Sequence, residues 1–337
     1  MPFFESGPFA DQPMPKSIPS NWIALASRLL LLAAILVIVS REHSFDTLLA
    51  LWQRIEPASL ALVTVVMIAL QATGAWRLMA ITFADGLRQV GFRPLFRIQL
   101  VSQFAADAAP ISALADVAKA AMVKLRFALG TGQSIRPVLY ERICGAMAAI
   151  VIGVLCLSAQ LVVPTPADLV KAQAILWGVG CAGIAALIAL GGFHLNTKFE
   201  FLNRLVRAVI ALGHMLRSPL LTAQLLLATA LLLAGYSVIF IVLAHAMQIQ
   251  VSVPHVFLFT PLIFFVSSLP VFYQGWGGRE AAAIATIGNT GQVTSAEAIA
   301  LSVAFGIVVF LGSLPGAVFW LMRPSMRKAV RQEVEQA

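Results

Sequence analysis

The chain has 337 residues, 60% of them hydrophobic and only 11% charged, with a mean hydropathy of +0.89 and a formal charge of +8. So much apolar surface excludes a water-soluble globular domain, and no nucleic-acid partner is expected. The basic residues lie dispersed in short segments between apolar runs, the bias that orients helices in a bilayer. Runs near twenty apolar residues, enough to cross roughly 30 Å of hydrocarbon, recur throughout and predict an all-α polytopic membrane fold.

In chain order, residues 1–21 are polar and proline-containing and show no signal-peptide cleavage pattern, so they read as a cytoplasmic tail. Spans are predicted at 22–40, 58–76, 143–163, 173–193, 220–246 and 299–322, with Trp22, Trp76, Trp177 and Trp320 marking headgroup levels. A basic, phenylalanine-containing stretch near 196–218 predicts an amphipathic helix on the membrane surface, and residues 323–337 form a basic tail. One membrane domain thus covers 22–322. Cys144, Cys156 and Cys181 sit in apolar segments without metal-ligand spacing, and the five histidines are scattered. No metal, cofactor or catalysis is expected.

Charge then sets direction. Segments 77–97, 119–142 and 194–219 and the tail from 323 hold 17 of the 23 Lys and Arg, which places all four on the cytoplasmic side. Both termini are then cytoplasmic. Because 77–97 and 119–142 share a side, residues 98–118 must enter and leave by that face, turning near Ala108-Ala109-Pro110. Residues 256–288 must do the same from the outer face. The expectation is six full spans and two re-entrant hairpins in an inverted repeat. Lys119 follows Pro110 by nine positions and Arg279 follows Pro270 by nine, with Ala115 standing where Gly275 does. Matched interrupted segments in two halves of a chain point to a transporter site.

The break from Pro270 to Glu280 carries a proline, three glycines and an ion pair. A charge near the bilayer centre costs about 2.5–3.5 kcal/mol on insertion scales, and non-helical backbone there survives only within protein or a watery cavity. The second half-helices are expected to begin near Ser112 and Gly277, exposing N–H groups that favour an anion. Substrate-binding candidates are Arg279, Lys119, Gly275, Gly277, Gly278 and Ser112, with Trp276 and Tyr273 along acyl chains or closing the tip. Asp116, Glu280, Glu141 and Arg142 are candidates for a charge network. The competing reading is that Arg279 pairs with Glu280 or Asp116 and locks the hairpin.

Pro270 to Glu280 resembles the P-x-S-x-x-G-x-G-x-R-E signature of the lysylphosphatidylglycerol synthase transmembrane region, a flippase-like membrane family. Ala296-Glu297-Ala298 and Ser313-Leu314-Pro315-Gly316 are similar to the family's sequence on the C-terminal side of that signature. Pro110 to Lys119 resembles the family's P-x-x-x-G-G-D-x-x-R, with Asp116 at the acid, and Glu141-Arg142 resembles the pair that opens the next helix. Leu114, Ala115, Lys119 and Phe272 depart from those patterns.

The resemblance spans roughly 22–322 and implies translocation, as flippase or scramblase, of an anionic or phosphate-bearing lipid or lipid-linked intermediate. The expected partner is a membrane lipid, an anionic phospholipid, with a lipid-biosynthetic enzyme as a further one. The chain ends fifteen residues after Met322, so a stand-alone member without the synthase domain, in a bacterial inner membrane, is expected. Two alternatives stay open: a non-transporting subunit that scaffolds a lipid-modifying enzyme, and a coupled carrier of a soluble anion using Asp107, Asp116 and Glu280.

Overall fold

A computed structural model describes residues 45–87, 90–108, 112–160, 162–192, 210–211, 213, 216–268 and 275–322. The predicted span 22–40, both tails and most of the surface helix near 196–218 lie outside them. The described helices are α1 (Phe45–Gln53), α2 (Pro57–Ala84), α3 (Phe92–Ala108), α4 (Ser112–Phe127) and α5 (Thr131–Ala159). They continue with α6 (Ala167–Gly192), α7 (Pro219–Ala246), α8 (Val253–Ser267), α9 (Gly278–Ala285) and α10 (Ser295–Leu321). A 3-10 turn, Ile287–Asn289, separates α9 from α10. Among the described residues, five helices (α2, α5, α6, α7 and α10) are long and apolar enough to cross a membrane.

Local chemistry sets several ends. Prolines stand in the first turns of α2, α7 and α8, where a missing N–H costs no helical bond. The Ser218 hydroxyl accepts from Leu221 N–H at the start of α7. At α10 the Glu297 carboxylate accepts from Thr294 N–H at 2.8 Å and the Thr294 hydroxyl accepts from Glu297 N–H, a reciprocal cap.

Two predicted boundaries are corrected. Helix α2 runs on to Ala84, so Trp76 and Arg77 lie inside it rather than at a span end. Helix α5 starts at Thr131 and not near 143, which puts Glu141 and Arg142 within its body instead of opening it. Trp177 is likewise no headgroup marker: it is 1% exposed, packed on Phe265 and against Gly153. In each case packing on a neighbouring helix overrides the local polarity of the sequence.

The core is organised around α10. Of its most apolar eighteen residues 61% are buried, against 17% for peripheral α6. Its small residues permit this. A Cβ on Gly316 would run into the Leu100 carbonyl of α3, and one on Gly312 would lie 2.5 Å from Met67 Cγ of α2. At one end Phe240, Phe259, Phe305, Ile239 and Met247 join α7, α8 and α10 in the largest apolar cluster. Near the other, Leu78, Leu95, Ile98 and Met122 join α2, α3 and α4.

Contacts at the helix ends fix the topology. Asp85, capping α2, meets Arg136 of early α5 at 3.7 Å, and Arg97 lies over Phe319 of late α10 at 5.8 Å. The ends of α2, α4 and α10 and the starts of α3 and α5 therefore share one end of the bundle, where Arg93, Arg97, Arg126 and Arg136 gather. At the opposite end His255 of early α8 meets the Pro164 carbonyl before α6, and Trp52 of α1 donates to the Ala300 carbonyl of early α10. Helices α3 and α4 thus start and finish at the basic end, and α8 and α9 at the other. Each pair breaks where expected: α3 stops at Ala108, α4 starts at Ser112, and α9 starts at Gly278.

Candidate functional site

Each broken segment carries a charge cluster. In the first, Lys119 of α4 donates to Glu141 of α5 at 2.6 Å, and Arg77 of α2 donates to the same carboxylate at 3.1 Å. Lys119 and Glu141 are 6% and 5% exposed, so desolvation is severe and the three groups must hold one another. Two cations meet one carboxylate, leaving one excess positive charge among the described residues. The Arg77 Nε–H, also buried, has no partner among the described residues. One turn outward, Arg142 forks onto Asp116 with contacts of 2.9–3.1 Å. Asp116 thus pairs with Arg142 and not with Arg279, and Lys119 pairs with Glu141.

In the second, Gly275 and Gly277 take φ of +79° and +87°, conformations that bulky residues resist, and the chain turns into α9. The turn brings Glu280 back onto its own helix start, where Oε2 accepts from Gly277 N–H at 2.6 Å. The amide expected to face an anion is therefore occupied by Glu280. The other carboxylate oxygen accepts from Arg279 Nη2 at 3.2 Å and from the Ser302 hydroxyl at 2.9 Å, while Arg279 Nε donates to Ser302 at 3.1 Å. Arg279 is 3% exposed and lies between Trp276 and Phe305, with ring centroids at 5.0 and 5.6 Å. Gly306 of α10 makes room, since a Cβ there would strike Arg279 and approach Trp276 at 2.8 Å. Gly278 is buried at the first position of α9. Tyr273 lies outside the described residues, and of Ser112 only its place as the first residue of α4 is described.

Asp107, on the last turn of α3, faces the second cluster. With Trp276, Arg279, Gly306 and Phe310 it lines a cavity of about 190 Å³ against α10. Its carboxylate accepts from Gln103 at 3.5 Å and interacts electrostatically with Arg279, while the nearby Ser313 hydroxyl donates to the Phe310 carbonyl. The first hairpin therefore meets Arg279 through Asp107. Lys119 and Arg279 share no partner among the described residues.

Arg77 and Ser302 are the network members that sequence reasoning missed. In the sequence Arg77 reads as a loop charge, because Trp76 resembles a span end. Asp107 had a legible signal, an acid in an alanine run three residues before Pro110, yet nothing in the sequence said which cation it would face.

Comparison with curated proteins gives no match. The family profile described as "Lysylphosphatidylglycerol synthase TM region" matches residues 24–316, which takes in both broken segments, both charge clusters and the glycine-rich face of α10. The chain is a multi-pass α-helical membrane protein that belongs to the lysylphosphatidylglycerol synthase TM region family.

Proposed function

We propose that the protein moves an anionic or phosphate-bearing lipid between leaflets, as flippase or scramblase, along the cleft between its two broken segments. The observation that carries this reading is the small cavity where Asp107 of one segment and Arg279 of the other face each other against α10. Charge buried at two helix breaks is expensive, and intramembrane ionisable groups of this kind mark substrate pathways by default. The cation excess around Arg77 and Lys119 supports an anionic cargo, because an incoming phosphate would balance it. Family membership supports a lipid cargo.

In this reading both broken segments are re-entrant hairpins, entering a bacterial inner membrane from opposite faces, with the basic end cytoplasmic. Rocking of one repeat against the other alternates access, and the chain performs no catalysis. A lipid-biosynthetic enzyme supplies the cargo. The cavity admits at most a headgroup fragment at its present volume, so passage requires α9 or α3 to move away from α10.

The test is transbilayer movement of labelled phosphatidylglycerol in proteoliposomes. Arg279→Lys, which keeps charge and loses the fork, and Lys119→Ala are each expected to slow movement at least tenfold, on the order of 1.4 kcal/mol of barrier. Wild-type rates in both variants reject the site. A second reading, a carrier of a soluble anion coupled to protons, is favoured by Asp107 lining the Arg279 cavity. It predicts uptake of a soluble anion driven by a pH gradient and lost in Asp107→Asn. Most of the basic stretch near 196–218, on which a scaffolding role would rest, lies outside the described residues.

A further inference from the structure

The basic end of the first hairpin holds a groove built quite differently from the core clusters. Arg93 and Arg97 stand four residues apart on α3, hence on one face, and Arg126 comes from the last turn of α4. Together they line a cavity of about 360 Å³ whose inner walls are Ile98, Val101, Met122 and Phe319. All three arginines are exposed. Among the described residues no carboxylate pairs with any of them, although Arg77, Lys119, Arg136, Arg142 and Arg279 all have acidic partners. The guanidinium of Arg97 rests over the Phe319 ring at 5.8 Å, which holds one fork at the rim.

Three converging cations repel one another, and an anion among them relieves that repulsion. Guanidinium forks match phosphate oxygens in pairs, which favours a phosphodiester over a simple counterion. The walls decide the rest. Ile98, Val101 and Met122 are at most 5% exposed and form the floor of the packed α3–α4 seam. Above that floor Pro94 and Phe319 are only partly buried, so a phospholipid places its phosphate at the arginine rim and an acyl chain against these two side chains, contacts a free phosphate does not make. A basic pocket between membrane helices at the end carrying the positive bias is a known kind of headgroup site.

We infer that this groove binds one anionic phospholipid of the leaflet at the basic end, as a retained lipid separate from the Arg279 cavity. The inference does not depend on transport. A protein that failed to move lipid would still hold this one, so the two readings fail separately.

The experiment is native mass spectrometry of the full chain in detergent, titrated with dioleoylphosphatidylglycerol or dioleoylphosphatidylcholine. The first phosphatidylglycerol is expected to bind at least tenfold more weakly to the triple variant R93Q/R97Q/R126Q than to wild type. Phosphatidylcholine should bind weakly to both. R217Q removes a cation beside the first turn of α7, at the same end of the bundle, and should leave binding within twofold of wild type. Equal phosphatidylglycerol binding to wild type and the triple variant overturns the site. So does an R217Q loss as large as that of the triple variant, which would mean diffuse surface attraction. Competition by millimolar glycerol 3-phosphate, with no preference for the lipid itself, would overturn the lipid assignment. Lipid-free melting and elution profiles matching wild type confirm that the triple variant is folded, as expected for exposed side chains.

Discussion

At Glu141 one carboxylate holds two cations from two other helices, buried Lys119 and partly buried Arg77. Removing its charge strands both, and breaking a buried pair costs about 3–5 kcal/mol. Glu141→Gln keeps the shape and is expected to lower thermal stability in detergent by that amount; a melting curve indistinguishable from wild type would show that the triad contributes no stability. Lys119→Met is milder, because Arg77 still neutralises Glu141. The double variant Lys119→Met/Glu141→Gln should therefore recover part of the loss of Glu141→Gln alone, a coupling that a double-mutant cycle in the same assay reads. At Arg279 planarity matters as well as charge. Its Nε and Nη2 bind separate oxygens on Ser302 and Glu280, a fork that an ammonium cannot reproduce.

Among the elements, α10 is the one whose sequence is most constrained by backbone proximity. Gly316 leaves no room for a side chain because its would-be Cβ meets the Leu100 carbonyl, a main-chain atom that cannot rotate away. At Gly312 the neighbour is Met67, whose side chain can. Gly316→Ala is expected to destabilise by about 1–3 kcal/mol, the usual cost of overpacking, and Gly312→Ala by less. Parallel thermal melts give the order, and the reverse order would show that α3 and α10 tolerate separation. Gly306 differs again, since a side chain there displaces Arg279 and Trp276 from the cavity. Gly306→Val is expected to abolish lipid movement in proteoliposomes; full activity would mean that this cavity lies off the path.

For the molecule as a whole, the decisive property is the side on which each helix end emerges. In a background with Cys144, Cys156 and Cys181 replaced by alanine, cysteines introduced at Gln133 and Arg126 should react with an impermeant maleimide from one side only. A cysteine at Gln292 should react from the other, because these positions lie at opposite ends of the bundle. Labelling of Arg126→Cys and Gln133→Cys from different sides would contradict the arrangement of α4 and α5. The same experiment with Arg93→Cys tests whether α3 and α4 return to the face they left, as the re-entrant reading requires.

Much of this was readable along the chain. Apolar run length decided the class, since a spanning segment must satisfy its backbone internally and clothe itself in apolar side chains. Pro110 and the 275–278 glycines located both helix breaks to within a residue or two, because proline and left-handed glycine act through purely local sterics. Pairing was a different matter. That Lys119 would meet Glu141 and Arg77, that Asp116 would meet Arg142, and that Asp107 would face Arg279 depends on how α2, α3, α5 and α10 cross, and local polarity says nothing about crossing. Trp76 and Trp177 misled for the same reason: an aromatic ring can sit at a headgroup or inside a helix seam, and only the neighbour brought against it decides which.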